Sequence, residues 1–459
     1  MYKTMPTKTV YILGAGASVS AHLPMQAWLL SEVYSLSLSS FDIPAQDDAD
    51  FLSLPLNNKL QRMQEFYSKF DEYRQNLGRF IVSNFSSSNK LSQYEIAMNA
   101  ARLIQAKDKA AILEKEALLL PAYNIVKSVN VSLEDLFTIF DSVASGREHF
   151  RLYSSKEMAD LHNQLKLCII FTLSFFIANN CDNTDYKKFC EHLLRVRNQL
   201  TQKEDALAVI TMNWDDILET TLSELCSNHN KELTKNQIKT YPDLCFYDYS
   251  LSANPEHIPS THIKAKGHKN IKILKMHGSL AWLECPKCGR IYTDYSNEIA
   301  SEEFSDMKCP HCSDDSRPQE ENPILRSLII TPTFLKSLEN LNLKNIWHNA
   351  FIDISEADEI IFIGYSFPDA DFEMRCLLKK ACKSTAKIHV VLSAGDDPET
   401  YTRKFTEKGF DLHESNKLIA KMRLPEERYK SFFGEDRVTF NYCGFAKYID
   451  QIGGANANE

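Results

Sequence analysis

Short apolar runs, each followed at once by glycine or polar residues, recur along this chain. Each run is as long as a strand and rich in β-branched or aromatic side chains, which is typical of a buried strand that enters a turn. Because helical patterns lie between several of these runs, the alternation predicts an α/β fold with one doubly wound, parallel, Rossmann-like sheet. The strands are Thr9–Leu13, Leu207–Ile210, Ile271–Met276, Ser327–Ile330, Glu359–Ile363 and Lys387–Leu392, and the helices are Trp214–Leu225, Leu341–Ala357 and Phe372–Cys382.

The polar segments that follow these strands are the first candidates for a functional site. In an open parallel sheet, ligands bind outside the carboxyl ends of the strands. We therefore expect these segments to line one crevice. They begin at Gly14, Thr211, His277, Thr331, Gly364 and Ser393.

The chain between the first two strands departs from this alternation. Residues 31–205 contain long helical patterns at Asn57–Phe80, Ile96–Leu120 and Lys156–Ala178, which predict a mostly helical insertion. The apolar stretch Leu165–Ala178 is expected to be a buried helix, because it is too short to span a bilayer.

Two further features complete the predicted organisation. Ser132-x-x-Asp135 stands directly before an apolar run and has the form of a capped helix start. Residues 396–459 are expected to form a C-terminal α+β extension.

Composition excludes some classes of protein and favours a cytoplasmic one. With 459 residues, 44% of them hydrophobic, the chain is long enough for a large core and an appended module. The formal net charge of -9 gives no overall field for nucleic acid or an anionic membrane. Met1–Val10 lacks the pattern of a signal peptide. Eight of the 12 cysteines show no framework spacing, which suits a reducing compartment.

The remaining four cysteines form the most specific pattern in the chain. Cys285-Pro-Lys-Cys288 and Cys309-Pro-His-Cys312 are two CxxC knuckles at the separation found in four-thiolate zinc sites. We expect a small zinc ribbon over residues 284–313. Because four thiolates complete a tetrahedral shell, the zinc is expected to be structural.

A glycine-rich turn follows the first strand and is expected to lead into a helix. Such a turn brings backbone N–H groups to a pyrophosphate, although a tight turn without a ligand is an equally good interpretation of the turn alone. Val19 replaces the third glycine of GxGxxG, and no strand about 20 residues on ends in an acidic residue. An ordinary hydride-transfer domain is therefore disfavoured. The turn is Gly14-Ala15-Gly16-Ala17-Ser18.

Two single residues at strand ends could take part in a reaction. Asn213 follows the second strand, where it could also be a plain helix N-cap. His277 precedes Gly278 at another strand end, where a histidine can titrate and act as a general base. A structural histidine is the alternative.

The order of these motifs resembles the sirtuin (silent-information-regulator) family. The family has similar motifs in the same order along the chain. In this sequence they are the glycine turn, Thr211-x-Asn213-x-Asp215, His277-Gly278, the double CxxC and Gly364-Tyr365-Ser366. Leu328-Ile-Ile-Thr-Pro332, Trp347 and Ile363-Gly-Tyr-Ser-Phe-Pro-Asp-Ala-Asp371 look like the bacterial sirtuin-like proteins of antiphage defence. The resemblance assigns residues 1–30 and 206–395 to a sirtuin-like domain.

The resemblance also implies roles for particular residues. Gly14, Ala15, Gly16, Ala17 and Ser18 would hold the phosphates of NAD+. Asn213 and His277 would be catalytic, with Asp215 on the ribose and nicotinamide side. Gly364 and Ser366 stand in the place of the family's Gly-Thr-Ser motif, and Ser393 lies where a residue lining the adenosine pocket is expected.

This sequence departs from the family where acyl-lysine chemistry is performed. Sirtuin deacylases follow the first turn with Gly-Ile-Pro-Asp-Phe-Arg, whereas this chain has His22-Leu-Pro-Met-Gln-Ala-Trp28, and Met212 replaces the usual Gln. The expected function is therefore NAD+ hydrolysis to nicotinamide and ADP-ribose by a triggered effector of antiphage defence.

Two alternatives remain open from the sequence. One is an NAD-dependent protein deacylase, and the other is a non-catalytic scaffold that senses NAD+ or ADP-ribose. The long insertion is the expected place for contacts with further copies of the chain or with a defence-system partner protein.

Overall fold

The computed structural model describes residues 7–36, 55–85, 119–126, 131–234, 237–246, 248–250, 267–293, 303, 306–313, 322–333, 339–393 and 424–454. The strands are β1 Thr9–Leu13, β2 Leu207–Thr211, β3 Thr240–Asp243, β4 Asp248–Ser250, β5 Lys269–Lys275, β6 Gly278–Glu284, β7 Ile291–Thr293, β8 Arg326–Ile329, β9 Glu359–Ile363, β10 Lys387–Val391 and β11 Val438–Asn441. The α-helices are α1 Gln26–Ser35, α2 Pro55–Phe85, α3 Leu133–Gly146, α4 Ser155–Asn180, α5 Thr184–Gln199, α6 Ile217–Glu232, α7 Leu341–Glu356, α8 Phe372–Ala381, α9 Pro425–Phe433 and α10 Gly444–Gly454.

The larger sheet is parallel throughout and confirms the predicted α/β class. Its strand order is β11-β10-β9-β1-β2-β5-β3. From β1 the chain first builds β2, β5 and β3 on one side and later β9, β10 and β11 on the other. Ligands of open α/β sheets bind at this kind of switch point, at the carboxyl ends of the strands.

The alternation of side chains along β1 explains why helices cover both faces of the sheet. Val10 and Ile12 belong to one buried cluster, which includes residues of α7, α8 and α9. Tyr11 and Leu13 belong to another, which includes residues of α5, α6 and α10. Since successive side chains point to opposite faces, a strand of apolar residues needs a cover on each side.

The prediction that Ser327–Ile330 joins the parallel sheet is wrong. This segment forms β8 in a separate four-stranded sheet, in the order β4-β7-β6-β8, where it runs antiparallel to β6. No helix separates β5 from β6, and Gly278 between them has a φ of +77°. The chain therefore leaves the first sheet at Gly278. Strand β6 begins there in the second sheet, and β8 pairs with β6.

The helical predictions that fall on described residues are confirmed. Asn57–Phe80 lies within α2, and Lys156–Ala178 lies within α4. The predicted capped start is present on α3, where the Ser132 hydroxyl accepts from the Asp135 amide and the Asp135 carboxylate accepts from the Ser132 amide. Most of Ile96–Leu120 lies outside the described residues.

Helices α1 to α4 share a hydrophobic core of their own. Phe70 of α2 stacks on Phe171 of α4 with ring centroids 4.3 Å apart, and Phe137 and Phe140 of α3 join the same cluster. Leu280 of β6 also belongs to it, so the helical region packs on the smaller sheet.

Helix α4 is the one candidate membrane span among the described residues, by length and composition. Of its most apolar window, 72% is buried inside the protein. Leu165 and Phe171 are fully buried, and Ala178 nearly so. The prediction of a buried helix is therefore confirmed.

Candidate active site

The glycine turn forms one 3-10 turn, Ala15–Ala17, and the first α-helix begins only at Gln26. The turn therefore precedes a helix as predicted, but a short segment separates the two. The amides of Gly14 and Gly16 donate to the carbonyls of Ile363 and Gly364, and those of Ala17 and Ser18 donate within the turn. Ala15 thus has the one amide of the turn for which no backbone acceptor is found among the described residues.

The turn after β1 packs directly against the turn after β9. A Cβ atom on Gly14 would lie 2.6 Å from the Tyr365 Cα, and one on Gly16 would lie 2.8 Å from the Gly364 Cα. Gly364 has a φ of +61°, and a Cβ there would lie 2.2 Å from the Ala17 amide nitrogen. All three positions therefore require glycine.

The predicted site residues meet at one cavity of about 870 Å³ above the carboxyl ends of the strands. Leu13 pairs with Thr211 on one side and with Ile363 on the other, so the turns that follow lie level. A volume of this size is in the range of small-molecule and cofactor sites. The cavity is lined by Gly14, Ala15, Gly16, Ser18, Asn213, Asp215, His277, Gly364, Ser366 and Ser393. Ala17 is fully buried in the core and is absent from this lining.

Asn213 is held at the bottom of the cavity by two hydrogen bonds. Its Nδ2 donates to the Gly14 carbonyl at 3.1 Å and to the Ser18 hydroxyl at 3.0 Å. The N-cap of α6 is Asp216, so the interpretation of Asn213 as a plain helix cap is wrong. With both amide protons used inside the protein, the side-chain oxygen is the atom that remains for a ligand.

The Ser18 hydroxyl connects three other side chains. It donates to the Asp215 carboxylate at 2.8 Å and lies 2.8 Å from the Tyr186 hydroxyl. Because a hydroxyl has one proton, Tyr186 donates to Ser18, as Asn213 also does. The hydroxyl of Ser18 is thus fully engaged in positioning Asn213 and Asp215. Tyr186 comes from α5, and sequence reasoning missed it.

A buried ion pair lies beneath these residues. Lys275 Nζ is 2.7 Å from the Glu219 carboxylate, and both side chains are almost completely buried. Lys275 also donates to the backbone carbonyl of Asp215. Burial raises the pKa of Glu219 to about 7, although the Lys275 charge opposes that shift. Burial also raises the pKa of Asp215, against the same lysine and the Ser18 hydrogen bond.

His277 is buried and has a carboxylate beside it. Its Nε2 lies 3.5 Å from Asp371 Oδ1, and Asp371 Oδ2 accepts from the Tyr365 hydroxyl at 2.8 Å. The Tyr365 carbonyl in turn accepts from Tyr429 at 2.8 Å. A carboxylate in this position orients an imidazole and stabilises its protonated form. Asp371 stands in the motif quoted from the sequence, but no role was predicted for it.

Parts of the cavity wall come from outside the sheet. The helical region supplies Trp28, Leu29, Glu134 and Leu173. From the other end of the chain, Arg428 of α9 lines the cavity, and its Nε is buried with no hydrogen-bond partner among the described residues. Sequence reasoning predicted none of these residues.

The four cysteines converge as predicted. Their Sγ atoms all lie within 4.8 Å of one another, and the contacts Cys285–Cys312 and Cys288–Cys309 measure 3.9 and 4.0 Å. Tetrahedral zinc with bonds of roughly 2.3 Å to each sulfur needs sulfur atoms about 3.8 Å apart. Four thiols in this arrangement fit zinc. Such an ion would link the segment after β6 to the segment before β8.

Removing one of these thiols should release the metal and weaken the fold. We expect Cys288→Ser to lack stoichiometric zinc and to unfold roughly 2–3 °C lower than the wild type, which for a chain of this length is about 2–3 kcal/mol of lost stability. Cys376→Ser, outside the cluster, is the control. Metal analysis and thermal melting check this prediction, and a Cys288→Ser protein with full zinc content would contradict it.

A second group of acidic side chains is occupied by lysines. Asp205, Asp353 and Glu356 come together at the opposite end of the sheet from the cavity. Lys8 lies 2.7 Å from both Asp353 and Glu356, and Lys272 lies 2.6 Å from both Asp205 and Asp353. The ammonium groups neutralise these carboxylates, so the cluster is a salt-bridge network.

This chain is similar to a known family model and to several solved structures. Residues 207–413 match the family model described as a SIR2-like domain. The structure titled "The Structural basis for Sirtuin Substrate affinity" is similar at 13% identity and a TM-score of 0.32, with 98% of this chain and 94% of that chain covered. A Sir2 complex with a p53 peptide and NAD+ has 12% identity, a TM-score of 0.33 and coverage of 98% and 94%. Sir2Tm bound to a propionylated peptide has 13% identity, a TM-score of 0.32 and coverage of 98% and 94%. No curated protein matches.

Fold and site together define an α/β protein with a ligand-sized crevice at the switch point of its sheet. The chain resembles the sirtuin family, and from β2 onward it matches the model of a SIR2-like domain. That match supports the general class of the expected function, which is a sirtuin-like enzyme that uses NAD+. It includes Asn213, His277 and the four cysteines, whereas the glycine turn and the helical region precede it.

Proposed function

We propose that this protein is an NAD+ hydrolase that releases nicotinamide and ADP-ribose. The observation that carries the proposal is the placement of Asn213 and His277 on one cavity, each fixed by buried hydrogen-bonding or charged partners. Pure binding needs neither a base held by a carboxylate nor an amide locked in one orientation.

The reaction breaks the bond between C1′ of the ribose and N1 of the nicotinamide ring. The electron pair of that bond leaves with nicotinamide, which becomes neutral, and positive charge develops on the ribose. Water then attacks C1′ and gives up a proton. In our proposal the Asn213 side-chain oxygen orients the ribose or this water, His277 accepts the proton, and the Asp215 carboxylate stabilises the ribosyl cation.

Phosphate binding uses fewer backbone groups than a glycine-rich turn suggests. Since the amides of Gly14, Gly16, Ala17 and Ser18 are used inside the protein, only the Ala15 amide of this turn is left for a phosphate oxygen. We propose that the Arg428 guanidinium supplies the missing positive charge. Its partly buried position on the cavity suits a charge-assisted bond to an anionic ligand.

We further propose that hydrolysis is triggered and serves antiphage defence in the cytoplasm, since unrestrained NAD+ cleavage would kill the cell. The helical region is the proposed contact for a second copy of the chain or a defence-system partner. Its support is that α1 to α4 share their own core and still supply part of the cavity wall. Movement of these helices would therefore alter the site.

The test is nicotinamide release from NAD+ by the purified full chain, with and without lysate of infected cells. Nicotinamide and ADP-ribose formed without any acylated peptide support the proposal. Release only with an acyl-lysine peptide, together with O-acyl-ADP-ribose, would make the protein a deacylase. Tight NAD+ binding without turnover under every condition would make it a sensing scaffold.

A further inference from the structure

We propose that Tyr186 is a positioning residue for NAD+ hydrolysis, which acts through Ser18 to orient Asn213 and to align the Asp215 carboxylate. This inference rests on the proposed NAD+ hydrolase function. Tyr186 belongs to α5, which precedes the SIR2-like match at residues 207–413, and it is absent from the cavity lining. Its contribution to the reaction therefore has to pass through another side chain.

The ring of Tyr186 is fixed by its surroundings. Tyr186 is the third residue of α5, and its side chain is only 1% exposed. The ring packs on Phe445 of α10 with centroids 5.2 Å apart and lies in the same buried cluster as Phe189. A buried tyrosine keeps its O–H group paired with an acceptor. Here that group reaches the glycine turn, where the Ser18 hydroxyl lies 2.8 Å away.

The partners determine the direction of each hydrogen bond to Ser18. The Gly14 carbonyl can only accept, so the Asn213 atom that contacts both Gly14 and Ser18 is the donor Nδ2. The Ser18 hydroxyl has one proton, which it donates to Asp215. Burial raises the pKa of Tyr186, so the phenol keeps its proton and donates it to Ser18. The Ser18 oxygen thus makes one donated and two accepted bonds, which is its full capacity.

Two consequences follow for the reacting groups. First, the Ser18 oxygen is held from three directions, which fixes the side-chain oxygen of Asn213 toward the cavity. Second, the O–H groups of Tyr186 and Ser18 form a chain that ends on the Asp215 carboxylate, and hydrogen bonds in a chain polarise one another. This chain favours the charged form of Asp215, whereas burial of that carboxyl group raises its pKa. The phenol therefore helps to keep a negative charge where the ribosyl cation develops.

The other titratable groups around Asp215 come from several elements. The Lys275 ammonium lowers the pKa of Asp215, and this lysine is itself paired with a carboxylate of α6. The imidazole that we propose as the base lies on the same cavity. These groups are Lys275 of β5, Asp216 and Glu219 at the start of α6, His277 after β5 and Asp371 before α8. A substitution that leaves all of them in place isolates the contribution of the phenol.

Tyr186→Phe removes the hydroxyl and keeps the packed ring. We expect kcat for NAD+ to fall roughly tenfold while KM changes less than about threefold, because the lost bond orients groups that act in the transition state. The acid limb of the kcat profile should move up by roughly one pH unit, since Asp215 then protonates more easily. The control is Tyr34→Phe, which removes a buried phenol hydroxyl of α1 that has no hydrogen-bond partner among the described residues. It should leave kcat and the pH profile unchanged.

A double-mutant cycle tests whether Tyr186 acts through Ser18. Ser18→Ala should lower kcat by itself, and adding Tyr186→Phe to it should lower kcat no further, because the bond between the two residues is already absent. An additional tenfold loss in the double variant would show that the phenol acts by another route, which overturns the inference. A fall in thermal stability together with an equal rise in KM would make Tyr186 a purely structural residue.

Failure of this inference is distinguishable from failure of the proposed function. If the wild type hydrolyses NAD+ and Tyr186→Phe matches it in kcat and pH profile, the function stands and the positioning role is wrong. Infrared titration gives a second measurement that needs no turnover and separates Asp215 from His277. The C=O band of the protonated carboxyl group, identified by its loss in Asp215→Asn, should appear at a higher pH in Tyr186→Phe than in the wild type. The same titration in both proteins would overturn the inference even if no NAD+ is hydrolysed.

Discussion

Replacing His277 by alanine should lower kcat for NAD+ hydrolysis by roughly 10²- to 10⁴-fold while KM changes only a few-fold. The physical reason is that a general base acts on a proton that moves only in the transition state. His277 is buried on the cavity, and the Asp371 carboxylate lies 3.5 Å from its Nε2. Steady-state kinetics with a nicotinamide-release assay would measure the effect.

Companion variants separate catalysis from folding. Asp371→Asn keeps the shape of the residue but removes its charge, so kcat should fall less than in His277→Ala and the pH profile should shift. Asn213→Ala should also reduce kcat strongly, because the oriented side-chain oxygen is lost. His348→Ala, exposed on α7 and away from the cavity, is the control. Unchanged kcat in His277→Ala would remove the proposed base.

The second large effect concerns stability. Lys275→Met should destabilise the protein by about 3–5 kcal/mol, because Glu219 is then left buried without its cation. The double variant Lys275→Met/Glu219→Leu should recover most of this loss, since an apolar pair fills the same space without charge. Urea unfolding followed by circular dichroism measures both. Equal loss in the single and the double variant would show that volume, and not charge, is responsible.

The pH dependence of this effect has a definite sign. Burial raises the pKa of Glu219 to about 7 from an ordinary value of 4.5. A raised folded-state pKa contributes stability that is present below the unfolded pKa and is lost as the pH rises through the folded pKa. Without Lys275 this pKa rises further. The destabilisation of Lys275→Met should therefore be smaller at pH 5 than at pH 8.

Most of the sheet could be predicted because buried parallel strands have a simple sequence pattern. Five of the six predicted strands lie in it, since apolar runs such as Glu359–Ile363 need cover on both faces. β8 has the same kind of composition, and only its partner strand β6 places it in the second sheet. A one-dimensional pattern contains no information about the partner.

The site was predictable where residues follow strands directly. Asn213, His277 and Gly364 reach one cavity because β2, β5 and β9 end at the same edge of the sheet. Helices contribute the residues that were missed, namely Tyr186, Arg428 and the hydrogen-bonded pair Gln26–Glu134. Nothing in the neighbouring sequence shows that these side chains face the site. Lys275 could have been singled out from the sequence, since a charged residue within a buried apolar strand requires a buried partner.

The interlocked turns after β1 and β9 have an evolutionary consequence. Gly14, Gly16 and Gly364 each occupy space that a side chain on the opposite turn would need, although about 350 positions of chain lie between them. A change at either turn is tolerated only with a matching displacement of the other. Among descendants of this sequence, the two turns should therefore be inherited as a single unit.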